Sequence, residues 1–153
     1  MRNMFYSLIV FAFASSSALA ADLPSSGVIN FHTGWQLHVE TTANNDETAQ
    51  GSIKAIGYTF SSDGKPWLHE GPASCWGAFD RNGDAYGHCS WSDADGDHIF
   101  TQFDGNVAVN KGTNYITGGT GKYAGITGTG PWACSGGKHG ESMCNQSLTY
   151  SIR

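Results

Sequence analysis

Three short turn motifs, each ending in glycine, constrain the fold of this chain most strongly. They are Arg81-Asn82-Gly83, Ala94-Asp95-Gly96 and Lys138-His139-Gly140, and each lies between two strand-like runs. A three-residue hairpin loop closes when its last residue is left-handed, which glycine tolerates at little cost. The motifs therefore predict antiparallel strands that are joined as a meander.

The composition predicts an all-β domain. The 153 residues include 21 glycines, and Thr, Asn, Asp and Ser separate short runs of Trp, Tyr, Phe and Ile, which leaves little room for helix. Residues 43–50 have the composition of a polar loop, and Ser52 to Phe60 that of a second strand. The first strand alternates most clearly, with one apolar face (Ile29, Phe31, Trp35, Leu37, Val39) and one polar face (Asn30, His32, Gln36, His38, Glu40).

The four cysteines test the hairpin register. Pairing outward from the loops places Cys75 opposite Cys89 and Cys134 opposite Cys144, at positions without ladder hydrogen bonds, where Cα atoms come within roughly 4.5 Å. Four cysteines permit three connectivities, and we predict Cys75–Cys89 and Cys134–Cys144. The rival interpretation, a tetrathiolate zinc site, lacks any close Cys-x-x-Cys spacing.

The N-terminus has the pattern of a secretory signal peptide. Arg2 precedes an apolar run from Met4 to Phe13, and Ala18-Leu19-Ala20 supplies the small residues that a signal peptidase reads. The run is too short to span a bilayer, which needs roughly twenty apolar residues. We expect residues 1–20 to be removed and residues 21–153 to form one exported domain, periplasmic or extracellular, where oxidised cysteines persist.

The charge of the chain argues against two classes of partner. The formal net charge is −5, and no run of basic residues occurs. Nucleic acids and anionic membrane surfaces both require clustered Lys or Arg. We therefore expect neither nucleic-acid binding nor membrane insertion.

A glycine-rich run near the C-terminus carries a family resemblance. Gly118-Gly119-Thr120-Gly121-Lys122-Tyr123 resembles the GGTG-[KR]-[FY] signature of the allene oxide cyclase and dirigent barrel superfamily. The resemblance covers roughly Gly27 to Arg153 and implies an up-and-down antiparallel barrel of about eight strands. Members of this superfamily often form homotrimers, and their apolar interior guides cyclisation or radical coupling of small lipophilic molecules. The interior acids and arginines of its enzymes cannot be aligned to positions here, so the activity does not transfer.

The hairpin register also assigns the two faces of the central strands. Barrels of about eight strands enclose either a side-chain core or one small ligand, and the sequence leaves both open. Glycines on the inner face add no side-chain volume, so the cavity expected for a small apolar ligand is bounded by Phe79, Trp91, Ile99, Phe103, Gly77 and Gly87. Cys75, Ala85, Cys89 and Thr101 share that face. The outer face is unusually aromatic, and subunit burial or ordinary exposure is favoured there over a carbohydrate or ligand platform. It holds Trp76, Ala78, Tyr86, His88, Ser90, His98, Phe100 and Gln102.

One acidic loop and two pairs of histidines suggest metal sites, and none of the three is completed. Asp93-Ala94-Asp95-Gly96-Asp97 begins like a calcium loop, but the sixth and twelfth positions hold His98 and Asp104, so a plain hairpin tip is favoured. His32 and His38 stand about 20 Å apart along one strand. His88 and His98 lie on adjacent strands without a carboxylate to fix them. We expect no metal centre and no cofactor.

Three functions remain open at this point, and the sequence leaves open whether the protein is an enzyme. The first is a barrel that binds a small apolar molecule inside. The second is a cofactor-free cyclase or isomerase, which needs an ionisable cavity residue with a perturbed pKa. The third is a secreted structural or host-facing module whose outer residues Trp76, Tyr86 and Phe100 make the contacts.

Overall fold

Eight antiparallel strands close into a barrel in the computed structural model, which describes residues 23–42, 50–136 and 139–153. Each strand pairs with the next along the chain, and the last pairs with the first. The predicted all-β meander barrel is therefore confirmed. The strands are β1 (Ser26–Thr42), β2 (Gln50–Ser61), β3 (Gly71–Phe79), β4 (Asp84–Ser92), β5 (His98–Asn106), β6 (Lys111–Gly119), β7 (Ile126–Gly136) and β8 (Glu141–Ile152).

Two predictions from the sequence fall on other parts of the chain. The predicted signal peptide, residues 1–20, and residues 43–49 of the predicted polar loop lie outside the described residues. The second strand begins at Gln50, two residues before the predicted start, and ends at Ser61.

The predicted hairpin register is confirmed. Cys75 pairs with Cys89 across β3 and β4, and Cys134 pairs with Cys144 across β7 and β8. Both pairs form disulfides, with Cα atoms 4.1 and 4.0 Å apart. The turn glycines Gly83, Gly96 and Gly140 have φ angles of 81°, 84° and 83°, the left-handed conformation that the motifs require. The β5–β6 ladder departs from a simple register, with a shift between Phe100 and Thr101.

The barrel has two unlike ends. We call the end with the β2–β3 connection (62–70), the β4–β5 tip (93–97) and the 3₁₀ turn Gly121–Tyr123 the closed end. The opposite end, with the β3–β4 and β5–β6 turns, is the open end. Burial along β1 shows the contrast, because Ile29 and Phe31 near the closed end are almost fully buried whereas Val39 near the open end is exposed.

A continuous apolar core fills the closed end. The β2–β3 connection places Leu68 inside it, where the Leu68 side chain is fully buried and its N–H donates to the Tyr123 hydroxyl at 3.1 Å. Burying a side chain of this size contributes about 1.5–3 kcal/mol relative to leaving it exposed. The other fully buried apolar residues at or near this end are Ile29, Phe31, Trp91, Ile99, Tyr123, Ile126 and Leu148.

Candidate functional site

A cavity of about 500 Å³ occupies the open half of the barrel. A space of this size falls within the range of small-molecule pockets. Three of the residues predicted from sequence to bound it, Phe79, Trp91 and Phe103, do line it. The other lining residues are Trp35, Leu37, Val39, Ile53, Ala55, Cys75, Ala85, Cys89, Val107, Asn110, Asn114, Trp132, Cys134, Gly136, Ser142, Cys144 and Gln146.

Trp91 separates the cavity from the closed end. Its indole meets the rings of Phe31 and Trp35 edge to face, with centroids 5.1 and 5.4 Å apart. Its Nε1–H donates to Thr101 Oγ1 at 3.0 Å, which satisfies the polar atom of a ring that is otherwise buried. Ile99, also predicted to bound the cavity, is fully buried in the core and does not line the space.

Gly77 and Gly87 do not border empty space, contrary to the expectation that they leave the interior under-filled. The two glycines pair across β3 and β4, and Phe103 is the partner of Gly87 on β5. A Cβ added at Gly77 would come within 2.7 Å of Phe103 Cζ, and one at Gly87 within 2.6 Å of Phe103 Cε1. The Phe103 ring therefore lies over the glycine pair, and the glycines act by seating an aromatic wall of the cavity.

The same arrangement recurs two strands further on. Gly105 and Gly112 pair across β5 and β6, and Trp132 is the partner of Gly112 on β7. A Cβ at Gly112 would lie 2.6 Å from Trp132 Cζ2, and Trp132 Nε1–H donates to the Asp104 carbonyl at 3.1 Å. Sequence reasoning missed Trp132, although a glycine pair followed by an aromatic residue on the next strand is a signal that could have found it.

Both disulfides contribute to the cavity wall. Cys75–Cys89 joins β3 to β4, and Cys134–Cys144 joins β7 to β8, so in an eight-stranded barrel the two bridges stand on opposite walls. Sulfur makes favourable contacts with aromatic rings. The bridges therefore stabilise the hairpins and also present polarizable surface to the interior.

The polar lining consists of amides and one hydroxyl. Asn110, Asn114, Ser142 and Gln146 line the cavity, and no described lining residue carries an ionisable side chain. Asn114 and Gln146 are both buried. When the Gln146 amide is oriented to satisfy its neighbours, its nitrogen donates to the carbonyl oxygens of Phe31 and Cys144 at 3.2 and 3.0 Å. Sequence reasoning missed these amides because it assigned no faces to β6 and β8.

The calcium-like loop holds a lysine. Lys122, from the glycine-rich signature, places Nζ 2.7 Å from Asp93 Oδ2, 2.6 Å from Asp95 Oδ2 and 3.7 Å from Asp97 Oδ2. The Asp93 side chain is 1% exposed. Gly121 has a φ of 52°, and a side chain there would collide with the Asp97 carboxylate. The glycine-rich signature thus contributes the cation of an ion cluster at the closed end of the barrel. We call Lys122 with Asp93, Asp95 and Asp97 the Lys122 cluster.

Tyr123 completes the Lys122 cluster. Its hydroxyl donates to Asp93 Oδ2 at 2.9 Å. Burial, reinforced by the negative charge of Asp93, raises the pKa of Tyr123 far above its ordinary value. Burial alone would lower the pKa of Lys122, but hydrogen bonds and Coulombic attraction to Asp93 and Asp95 outweigh it, so the pKa is raised. The cluster holds its lysine charged and its tyrosine neutral.

The histidines have local roles on the outer surface. His98 Nδ1 lies 3.1 Å from Ser90 Oγ and 3.2 Å from Ser92 Oγ, and the His98 ring stacks on Phe100. His32 Nδ1 lies 3.3 Å from Ser62 Oγ. Within the described part of the chain, no group of three or more His, Cys, Asp or Glu side chains is arranged to hold a metal ion.

The outer face of the central strands exposes the aromatic residues that the register predicted there. Trp76 is 66% and Tyr86 64% exposed, and Phe100 is also exposed. None of the described helical segments is long and apolar enough to cross a membrane. The two disulfides fit a protein that is exported to an oxidising compartment.

The fold and the cavity place this chain in the class of closed antiparallel barrels that enclose an apolar interior. No family model and no curated protein matches the sequence. Among solved structures, the chain is similar to a pyocyanin demethylase, with a TM-score of 0.63 and 17% identity over 82% of this chain and 100% of that one. It is also similar to a pterocarpan synthase dirigent protein, with a TM-score of 0.57 and 11% identity over 84% and 86% of the two chains. The fold is therefore dirigent-like.

Proposed function

We propose that this protein is an exported barrel that binds a small, uncharged, apolar molecule with aromatic rings inside its open end. The observation that carries this function is the cavity of about 500 Å³, whose walls include Trp35, Trp91, Trp132, Phe79 and Phe103. Burying apolar ligand surface against such walls contributes roughly 25 cal/mol per Å². The structural neighbours are named for pyocyanin and pterocarpan, both small aromatic compounds, which supports this ligand class.

The lining favours binding over acid–base catalysis. A cofactor-free cyclase or isomerase needs a positioned group that gives or takes a proton. The lining residues that the structure describes supply amides, a hydroxyl, disulfides and apolar side chains, and none of these titrates near neutral pH. Binding without turnover therefore accounts for the cavity with fewer requirements than catalysis.

The test is a binding titration with a matched pair of variants. Ala85 lines the cavity, whereas Ala78 lies on the outer face of the same hairpin. We expect wild-type protein to bind the neutral dye Nile red, with a blue shift of the dye and quenching of tryptophan fluorescence. Ala85→Phe should weaken this binding at least tenfold, and Ala78→Phe should leave it unchanged. Equal binding by all three proteins would contradict binding inside the barrel.

Export has its own test. The signal peptide pattern of residues 1–20 and the two disulfides motivate it. Expression of the full chain in a Gram-negative host, followed by osmotic release, should yield a periplasmic protein whose N-terminal sequence begins at Ala21. Recovery of unprocessed protein from the cytoplasm alone would contradict export.

A second candidate function is association through the outer face. Trp76 and Tyr86 are about two-thirds exposed on neighbouring strands, which is unusual for large aromatic residues of a soluble barrel. We propose that this face joins copies of the chain into a homo-oligomer, with a trimer expected. The molar mass of wild-type protein by light scattering should exceed that of one chain, and Trp76→Ser with Tyr86→Ser should reduce it to one chain. A monomeric wild type would refute the assembly.

A further inference from the structure

We propose that Asn114 selects the ligand by hydrogen bonding to a polar edge that presents a donor and an acceptor side by side, as a lactam does. This inference rests on the proposed function, since it names the ligand class of the same cavity. Asn114 lies on β6, and its side chain is one of two buried amides in the lining. The residue is 2% exposed, so the cavity is the space that its amide can reach.

The Asn114 side chain lacks a partner among the described residues. Asn114 lies opposite Phe103 on β5 and Gly130 on β7, and its backbone carbonyl accepts a hydrogen bond from Thr129 Oγ1 at 2.9 Å. Among the described residues, no hydrogen bond engages the side-chain amide of Asn114, and the fully enclosed unpaired side-chain groups are others: Thr33 Oγ1, Trp67 Nε1 and the Tyr150 hydroxyl. Buried amides are normally hydrogen-bonded, and leaving one unpaired is costly. An unpaired amide that faces a cavity is therefore a recognition group for whatever fills that cavity.

The chemistry of the amide defines what it recognises. An asparagine side chain offers N–H donors and a carbonyl acceptor in one plane, so it pairs bidentately with an adjacent donor and acceptor on a flat ring, as asparagine does with adenine. Phe103 is the cross-strand neighbour of Asn114, and Trp132 lies two residues beyond its partner on β7, so aromatic walls stand beside the amide. A fused aromatic ring can therefore pack on these walls with its polar edge on Asn114.

Gln146 supports the same ligand class. Gln146 lines the cavity, and its amide nitrogen donates to the carbonyl oxygens of Phe31 and Cys144, so both of its N–H groups are already used and neither can bind an anion. No charged side chain among the described lining residues can compensate an ionised ligand, and burying an uncompensated charge is strongly unfavourable. The polar edge of the ligand must therefore be neutral, which favours a lactam or hydroxy-ketone over a carboxylate.

The experiment compares three-ring probes that differ at one edge. Phenanthridinone carries adjacent N–H and C=O groups, N-methylphenanthridinone lacks the donor, and phenanthridine lacks the lactam. We expect wild-type protein to bind phenanthridinone at least tenfold more tightly than the other two, because each mismatched probe leaves the Asn114 amide partly unpaired. Calorimetry or probe fluorescence measures the ratios without requiring any variant to fold.

Two variants locate the selectivity. Asn114→Leu keeps the side-chain volume and should reduce the preference for phenanthridinone to about one while phenanthridine still binds. Gln102→Leu removes an exposed amide from the outer face and should leave the preference unchanged. Equal binding of all three probes to wild type, or an unchanged preference in Asn114→Leu, would overturn the inference and leave the proposed function standing. If no probe binds and Nile red also fails, the proposed function itself is overturned.

Discussion

The two ends of the barrel are built from the same eight strands, yet one is packed shut and the other encloses a cavity. At the closed end, the β2–β3 connection inserts Leu68, and Lys122 and Tyr123 bind the acidic tip around Asp93. At the open end, the aromatic rings of Phe103 and Trp132 lie over paired glycines, in the space that side chains at those positions would otherwise take. The difference shows that connections and glycine positions, rather than strand order, decide where a small barrel is hollow.

This contrast implies that the two ends of the barrel have different roles. The closed end contributes stability, because its side chains are buried and mutually hydrogen-bonded. The open end contributes recognition, because its side chains face unfilled space. Substitutions at the closed end should therefore change the free energy of unfolding and spare ligand binding, whereas substitutions at the open end should change binding first.

The largest effect is expected from Lys122→Met. This change leaves the Asp93 carboxylate, with a side chain that is 1% exposed, without its cation. Breaking a buried pair from one side costs about 3–5 kcal/mol. Urea denaturation should show a loss in the free energy of unfolding near the lower of these values, because Asp95, the second partner of Lys122, is exposed and can be hydrated instead. Nile red binding to the folded fraction should be unchanged.

The control for this prediction is Lys65→Met. Lys65 Nζ lies 3.3 Å from Asp63 Oδ2, but both side chains are substantially exposed. An exposed pair contributes at most about 1 kcal/mol. If the two variants lose the same stability, the Lys122 cluster is not the element that holds the closed end together.

The next effect concerns the disulfide Cys75–Cys89, which belongs to the open end. Replacing both cysteines by alanine releases a loop with a sequence separation of 14 and should lower the free energy of unfolding by about 3 kcal/mol in the chain-entropy model. The protein should still fold, since the closed-end core is intact. Because this bridge lines the cavity, ligand affinity should also fall, in contrast to Lys122→Met. Peptide mapping of the non-reduced protein checks the pairing, and a Cys89–Cys134 link would contradict it.

Much of the fold, and only part of the site, could be predicted from the sequence. The hairpin register followed from short-range rules, since a glycine at the last loop position determines which residues face each other, and the cysteines agreed with it. The cavity depends on non-local packing. Whether Gly77 borders a void or supports a ring is decided by Phe103, 26 residues later and two strands away. Lys122 likewise forms an ion pair with Asp93, which lies 29 residues earlier in the β4–β5 turn, and no local sequence pattern predicts such a contact.

A smaller effect is expected at alkaline pH. Unfolded tyrosine titrates near pH 10, and the folded state keeps the proton of Tyr123 to a higher pH because the pKa of Tyr123 is raised. Above pH 10 the unfolded state therefore binds fewer protons, and stability falls by up to about 1.4 kcal/mol per pH unit for this group. Lys122 changes the stability in the same direction. Because its pKa is raised in the folded state, it contributes stability that is lost as the pH rises beyond the ordinary lysine pKa. Urea midpoints from pH 8 to 11 should decline more gently in Tyr123→Phe than in wild type.

The smallest expected effect is that of calcium on thermal stability, and we expect no change. Asp93, Asp95 and Asp97 already share the ammonium group of Lys122, so a cation must displace a bound charge of the same sign. A ligand present at a hundred times its dissociation constant would add about 2.7 kcal/mol to the stability. Millimolar calcium should leave the Tm of the wild-type protein unchanged, and the same titration of Asp95→Ala serves as the control. A Tm rise of several degrees in wild type that disappears in Asp95→Ala would mean that the closed end is a metal site. The two ends would then both bind ligands, and the division into a stabilising end and a recognising end would be wrong.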